Sequence, residues 1–355
     1  MTRRSGQRPR HPWRKAAAAA LGTGLLVLSA CGDGGGSGDP TPTQEATATS
    51  VVVGAGPTQQ TQTVAHVWAL ALEDAGMTVE IRELDGGRAE YLTALEDGEI
   101  DLYPDYTGDL YLELRGNAPE GPGSSVDEDP SAWPAATASP SPTETEGNLV
   151  DSLANMLGQG QQGVTDEDVE SALSEQLPES VQTLDAAPAE NKRVLATTAA
   201  TQARLSLNSI ADLADHCGDL TFGAISGEDQ ASVTSTAIEE TYDCAPGEIR
   251  EFGSQSEVVQ ALLAGQIDVA AILSATPAIE ENSLWVLEDN RHALVPERVI
   301  PVAASELSDQ AVGEVNGISG QLDTDALVLL TRMTTSSTPY SPGEAAEYWY
   351  GTVSE

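Results

Sequence analysis

The chain has 355 residues, with 56 acidic against 16 basic side chains and a formal net charge of −40. A chain this acidic excludes nucleic acid as a partner, because phosphate binding needs a basic face. It also argues against electrostatic docking on anionic lipid.

The first 15 residues hold six of the basic residues: Arg3, Arg4, Arg8, Arg10, Arg14 and Lys15. An apolar stretch follows from Ala16 to Val27. It is shorter than the roughly 20 residues that span a bilayer as a helix. A basic head, a short apolar run and small residues before a cut site describe a secretory signal, here residues 1–30. The cut site reads Leu28-Ser29-Ala30-Cys31 and resembles a bacterial lipobox, which implies a lipid on Cys31. An ordinary signal with a chance cysteine is the alternative. The expected location is extracytoplasmic, lipid-anchored to the outer face of a bacterial cell membrane. Cutting before Cys31 removes six basic residues and no acidic ones. Ten basic residues then face 56 acidic ones, a net charge of −46, and Lys192 is the lone lysine. Residues 31–50, rich in Gly, Thr, Pro and Ser, cannot bury a core and are expected to be a flexible tether.

With Cys31 lipidated, Cys217 and Cys244 remain, and in an exported protein such a pair most often forms a disulfide. They lie 27 residues apart. Closing that loop stabilises by about 3.5 kcal/mol in the chain-entropy model. Two buried free thiols are the alternative.

A strand is expected at Val51–Val53, then a turn from Gly54 to Thr58 and a helix through Ala75. Residues 80–101 read EIRELDGGRAEYLTALEDGEID, and residues 248–268 read EIREFGSQSEVVQALLAGQID. One single-residue gap brings the two into register. Each is a strand-helix-strand unit, which forms a right-handed parallel crossover. Before the second copy come a strand over Leu220–Ile225, the turn Ser226-Gly227-Glu228-Asp229 and a helix to about Thr241. The same unit in both halves predicts two similar α/β lobes. Turns at the carboxyl ends of parallel strands are where open α/β sheets bind ligands. Between the halves, about 116–147 is rich in Pro, Ser, Glu and Thr and reads as a disordered insertion.

Catalytic signatures are missing. Gly54-Ala55-Gly56 resembles the start of a dinucleotide fingerprint, but Gln59 stands where a third glycine belongs. His66, His216 and His292 are scattered and match no zinc spacing. There is no nucleophile elbow and no P-loop. No enzyme activity, catalytic residue, cofactor or metal is expected.

The run Ile100-Asp101-Leu102-Tyr103-Pro104-Asp105-Tyr106-Thr107-Gly108 resembles the substrate-binding proteins of glycine betaine, choline and carnitine ABC transporters. That osmoprotectant-binding family typically reads Ile-Asp-x-Tyr-Pro-Glu-Tyr-Thr-Gly there. Leu184–Thr197, with Asn191 at a typical asparagine, Ala261–Ile272, Val286–Pro301 and Asn316–Leu327 are similar to later family segments, in the same order. The resemblance implies a two-lobed, type II periplasmic-binding-protein clamshell with a two-stranded hinge. Lobe 1 would be residues 51–191 plus 300–355, and lobe 2 residues 192–299. It implies a small-molecule ligand, an ABC permease and its ATPase as partners, and membrane attachment through the lipid.

The family's ligands carry a quaternary ammonium, which is held against aromatic faces. By the motif match, Tyr106 is the leading cage wall, with Tyr103, Thr107 and Asp105 beside it. Asp185 is expected to face the cation from the lobe crossing. Departures are clear. Pro57 stands in a loop that usually carries lysine, and Leu273-Ser274-Ala275-Thr276 replaces an aromatic run. The segment from Ser226 lacks an arginine for a carboxylate. Ser226, Ser274 and Thr276 would supply neutral hydrogen bonds instead. The expected function is capture of glycine betaine- or choline-type osmoprotectants by hinge closure and delivery to the permease. The alternatives are another small polar ligand in the same fold, or a non-transport sensor or scaffold lipoprotein.

Overall fold

The computed structural model describes residues 50–84, 86–116, 164–226 and 230–354. The expected signal segment, Cys31, the tether up to residue 49 and the insertion from residue 117 onward lie outside the described residues.

In the first sheet, β1 (Ser50–Ala55) owes its extended form to a β-branched valine run, and it is buried from Val53 to Ala55. Thr58 caps α1 (Gln59–Asp74) by accepting from the Thr61 N–H at 3.1 Å. β2 (Thr78–Glu83), α2 (Arg88–Glu96) and β3 (Leu102–Tyr106) complete two crossovers. Both β2 and β3 pair with β1 in parallel. α3 (Thr107–Gly116) leaves β3 directly, α4 (Asp166–Gln176) carries a capping box from Thr165 and Asp168, and β4 (Val181–Thr183) follows.

The second sheet starts at β5 (Arg193–Thr197) and α5 (Ala199–Leu205). Then come β6 (Thr221–Ile225), α6 (Gln230–Tyr242), β7 (Glu248–Phe252), α7 (Gln255–Leu263) and β8 (Val269–Leu273). A short α8 (Ala278–Glu281) leads to β9 (Trp285–Val286). The chain then returns to the first sheet as β10 (Val299–Ala304) and ends in α9 (Asp309–Ser319), α10 (Thr324–Thr335) and α11 (Pro342–Val353).

The strand orders are β2-β1-β3-β10-β4 and β7-β6-β8-β5-β9. In each sheet three parallel strands are followed by a fourth that runs antiparallel. Each sheet has a core on both faces. One face of the first packs Val53, Trp68, Leu102, Tyr106 and Leu327; the other packs Tyr91, Leu95, Tyr103 and Leu110. Cys217 and Cys244 are joined by a disulfide, both sulfurs lying in the core of the second sheet.

The repeated sequence is repeated in atomic detail. Asp101 Oδ2 accepts from the Val52 N–H at 2.7 Å, and Asp268 Oδ2 accepts from the Thr221 N–H at 3.1 Å. Each aspartate thus bonds to the strand, β1 or β6, that has a parallel partner on both sides. Gly98 at φ 69° and Gly265 at φ 66° end α2 and α7 in the left-handed conformation that glycine adopts freely. Arg82 and Arg250, on β2 and β7, each donate to a backbone carbonyl in the turn that follows, at Glu99 and Gln266.

The chain passes between the sheets within 184–192 and 287–298. These two segments pair: Glu190 bridges Arg298, and the Asn191 N–H donates to the Glu297 carbonyl at 3.0 Å.

Candidate ligand-binding site

Because β1, β2 and β3 are parallel, their carboxyl ends share one edge of the first sheet. That edge collects the Gly54–Thr58 turn, Arg88 at the start of α2, and Tyr106-Thr107-Gly108 at the exit of β3. All five β3 residues are buried.

Tyr106 lies on the α1 face and is 8% exposed. Its hydroxyl donates to Gln60 Oε1, which also accepts from Asn191 Nδ2 at 2.8 Å. Gln60 Nε2 donates to Thr331 Oγ1 at 2.9 Å. One glutamine in the first turn of α1 thereby ties the tyrosine to a crossing segment and to α10. Burial pushes the Tyr106 phenol well above its usual range, so it stays a neutral donor.

Thr107 holds the other crossing segment. Its N–H donates to the Arg298 carbonyl at 2.9 Å, and its hydroxyl accepts from the Arg298 N–H at 3.0 Å. The motif threonine is therefore engaged by the hinge backbone.

Tyr103 and Asp105 point to the opposite face, because successive strand residues alternate. Tyr103 stacks on Tyr91 with ring centroids 3.9 Å apart and planes 12° from parallel. A Cβ at Gly56 would overlap the Tyr103 hydroxyl, and one at Gly54 would come within 2.8 Å of its ring. The two glycines thus make room for a tyrosine, which gives the partial dinucleotide pattern a packing reason. Asp105 accepts from Arg88 Nε at 3.0 Å and from Arg88 Nη2 at 2.8 Å, and also from the Tyr91 hydroxyl. Arg88 reaches Asp109 at 2.9 Å as well. Burial opposes the Arg88 charge, but the carboxylates of Asp105 and Asp109 outweigh it. Burial likewise pushes the Asp105 carboxyl up, against the pull of the bidentate guanidinium.

Glu297, in the returning segment, is 4% exposed. Its Cγ would lie 2.5 Å from a Cβ at position 108, so Gly108 makes room for it. Asp109, Arg193 and Arg88 all act electrostatically on its carboxyl. Burial first, and the Asp109 carboxylate second, push its carboxyl well above the usual range.

Four further residues were expected at the site: Asp185, Ser226, Ser274 and Thr276. Asp185 is exposed, its N–H bonded to Asn316 Oδ1 on α9 at 3.1 Å, and it shares no bond with Tyr106, Thr107 or Asp105. Ser226 is exposed at the end of β6. Ser274 leaves β8 with its N–H on the Lys192 carbonyl at 2.8 Å and its hydroxyl directed to the Glu190 carbonyl at 3.4 Å. Thr276 is buried. Between these two, Ala275 packs into the same core as Tyr106. On α10, Arg332 pairs with Glu280 at 3.0 Å and Glu281 at 3.1 Å on α8. A separate cavity of about 560 Å³ borders the crossing segments, lined by Glu190, Lys192, Arg193, Asp289, His292 and Pro296. Neither Tyr106, Ser274 nor Thr276 lines it.

Sequence reasoning missed Gln60, Arg88, Tyr91, Asp109 and Glu297. Of the partners of Gln60, Tyr106 was marked beforehand by its motif and Asn191 by its place in a family-like segment.

Two α/β sheets, joined by a paired double crossing and carrying side chains at their strand exits, define a two-lobed periplasmic-binding-protein fold of type II. Residues 49–351 match the family model described as the substrate binding domain of ABC-type glycine betaine transport system, and the chain belongs to that family. It is the solute-binding component of an ABC importer. No curated protein matches the chain. Among solved structures, a glycine betaine/carnitine/choline ABC transporter protein is 18% identical, with 86% of this chain and 98% of that one covered, at a TM-score of 0.62. Apo YehZ from Escherichia coli is 17% identical, covering 86% and 99%, at 0.59. An unliganded, semi-closed choline binding protein is 14% identical, covering 86% and 89%, at 0.50. At these identities the likeness shows the fold alone.

Proposed function

We propose that the protein captures a small quaternary-ammonium solute of the glycine betaine or choline type at the carboxyl edge of the first sheet. The observation that carries this reading is Tyr106: an aromatic ring at a strand exit, fixed through Gln60 to both α10 and a crossing segment. A methylated ammonium donates no hydrogen bond through its nitrogen, so it is held by aromatic faces, worth about 0.5–2 kcal/mol per ring. Thr107 transmits ligand contact to the hinge, while Tyr103 and Asp105 support the edge from behind. Ser226, Ser274 and Thr276 supply neutral groups from the second lobe. Lobe 1 comprises 51–191 and 300–355, and lobe 2 comprises 192–299. Binding and release, with no chemical step, are the whole of the action we assign.

Tyr106→Ala is expected to weaken choline or betaine binding more than tenfold in titration calorimetry. An unchanged affinity removes Tyr106 from the site. The reading also includes a lipid on Cys31, which would place the protein beside its permease. Cys31→Ser should release it from membranes into the medium or periplasm, and continued membrane association would reject that anchor.

A further inference from the structure

The ten lysine and arginine residues that follow Cys31 share the chain with 56 acidic ones, so carboxylate partners are plentiful. Among the described residues, nine of the ten carry a side-chain hydrogen bond or ion pair, and Arg193 carries neither. Arg193 is half-buried at the first position of β5, where pairing with Leu273 on β8 fixes its backbone. It lines the cavity of about 560 Å³ beside the crossing segments. A planar guanidinium is a fork for a carboxylate, and one left without a partner in so acidic a chain is open to a carboxylate from outside.

Four carboxylates line the same cavity: Asp166, Glu190, Glu288 and Asp289. Asp166 pairs with Arg298 at 3.2 Å, and Glu190 pairs with Lys192 at 2.9 Å. Asp289 accepts from the Tyr242 hydroxyl at 2.6 Å and from the Ala293 and Leu294 N–H groups at 3.0 and 2.8 Å. The exposed Glu288 carboxylate has no such partner among the described residues. Its backbone is fixed all the same. The Glu288 N–H donates to the Asn208 carbonyl at 3.0 Å, and its carbonyl accepts from the Ile210 N–H at 2.9 Å. One cavity thus presents a free positive and a free negative charge, held on separate segments and not paired with each other.

Val194, Val286, Leu287 and Leu294 give the cavity an apolar wall. Among the described residues, no tyrosine, tryptophan or phenylalanine lines it. A methylated ammonium would therefore lack a phenyl or indole face, whereas a primary ammonium can donate hydrogen bonds to a carboxylate. Apolar walls with a few converging polar groups, in a volume of roughly 300–1,000 Å³, are the usual form of a small-molecule site.

We propose that this cavity is a second ligand site, separate from Tyr106, which takes an amino acid with an apolar side chain. The α-carboxylate docks on Arg193, the ammonium on Glu288, and the side chain against Val194, Leu287 and Leu294. The site stands apart from the function assigned above, since Tyr106, Ser274 and Thr276 do not line it.

The test is titration calorimetry with L-valine, with isovalerate, which carries the carboxylate alone, and with isobutylamine, which carries the ammonium alone. L-valine should bind saturably and at least about tenfold more tightly than either half molecule, since each lacks one charged hydrogen-bonding group. Arg193→Gln should weaken L-valine by more than about tenfold and leave isobutylamine unchanged. Glu288→Gln should weaken L-valine and leave isovalerate unchanged. No saturable heat from L-valine or L-leucine would overturn the site. Equal affinity for L-valine and isobutylamine, or full L-valine affinity in Arg193→Gln, would do the same, and would make Arg193 a solvated surface charge. The half-molecule comparison uses the unaltered protein, so it decides the matter even where a variant fails to fold. Saturating choline should leave the L-valine affinity unchanged, and displacement would show one shared site. Failure of choline to bind, with L-valine bound, would reject the reading of Tyr106 and leave this second site standing.

Discussion

The two sheets are built alike and equipped differently. Asp101 and Asp268 bond to corresponding strands, Gly98 and Gly265 end the same helix, and the strand orders correspond position by position. The strand exits do not correspond in chemistry. β3 ends in Tyr106-Thr107-Gly108, whereas β8 runs out through Leu273-Ser274-Ala275. At the start of the next-door helix, Arg88 holds Asp105 with two charged hydrogen bonds, while Gln255 holds the Leu273 N–H with one neutral bond of 2.8 Å. Residues that fix the backbone are shared between lobes. Residues that would meet a cation are concentrated in the first lobe, and the second offers small neutral groups. A duplicated scaffold therefore does not imply a symmetric site.

The largest expected break in this comparison comes at Arg88. Arg88→Met would leave the buried Asp105 without its counter-charge, at a cost of about 3–5 kcal/mol. Gln255→Met would leave only a backbone N–H unsatisfied, at about 1–3 kcal/mol. Urea unfolding midpoints of the two variants measure the gap. Equal losses would mean that the ionic cluster adds nothing to the first lobe. The smaller effect sharpens the likeness instead. Asp101→Ala and Asp268→Ala each remove the acceptor of one strand N–H, and their losses should agree within a few tenths of a kcal/mol around a shared value of about 1 kcal/mol. A difference above about 1 kcal/mol would show that the two aspartates do unequal jobs.

Much of the fold was legible because burial imposes local periodicity. The EIRE strands, the Gly-x-Ile-Asp turns and the helices between them announce a unit that cannot vary without exposing its core. Tyr106 was legible through its motif. The short strands β4 and β9 were not, since three or two residues carry no period. The cluster of Arg88, Asp105, Asp109 and Glu297 was not legible either: Asp109 acts on the Glu297 carboxyl across 188 positions, and no spacing rule spans such a distance. The grouping of Tyr103 with Tyr106 overlooked alternation along the strand. Three residues apart in β3, the two rings belong to different cores. Asp185 was expected to face the cation because it was read as part of the lobe crossing; its N–H bonds to Asn316 on α9 and the residue is exposed.

With no aromatic run at Leu273–Thr276, the first lobe would be left to recognise the ligand's head. Titration calorimetry with betaine, choline, carnitine and ectoine on the unmodified protein tests that account most directly. The account predicts saturable binding of at least one quaternary ammonium, lost by more than tenfold in Tyr106→Ala. No heat from any of the three quaternary compounds, with clear binding of an amino acid or a sugar, would contradict it.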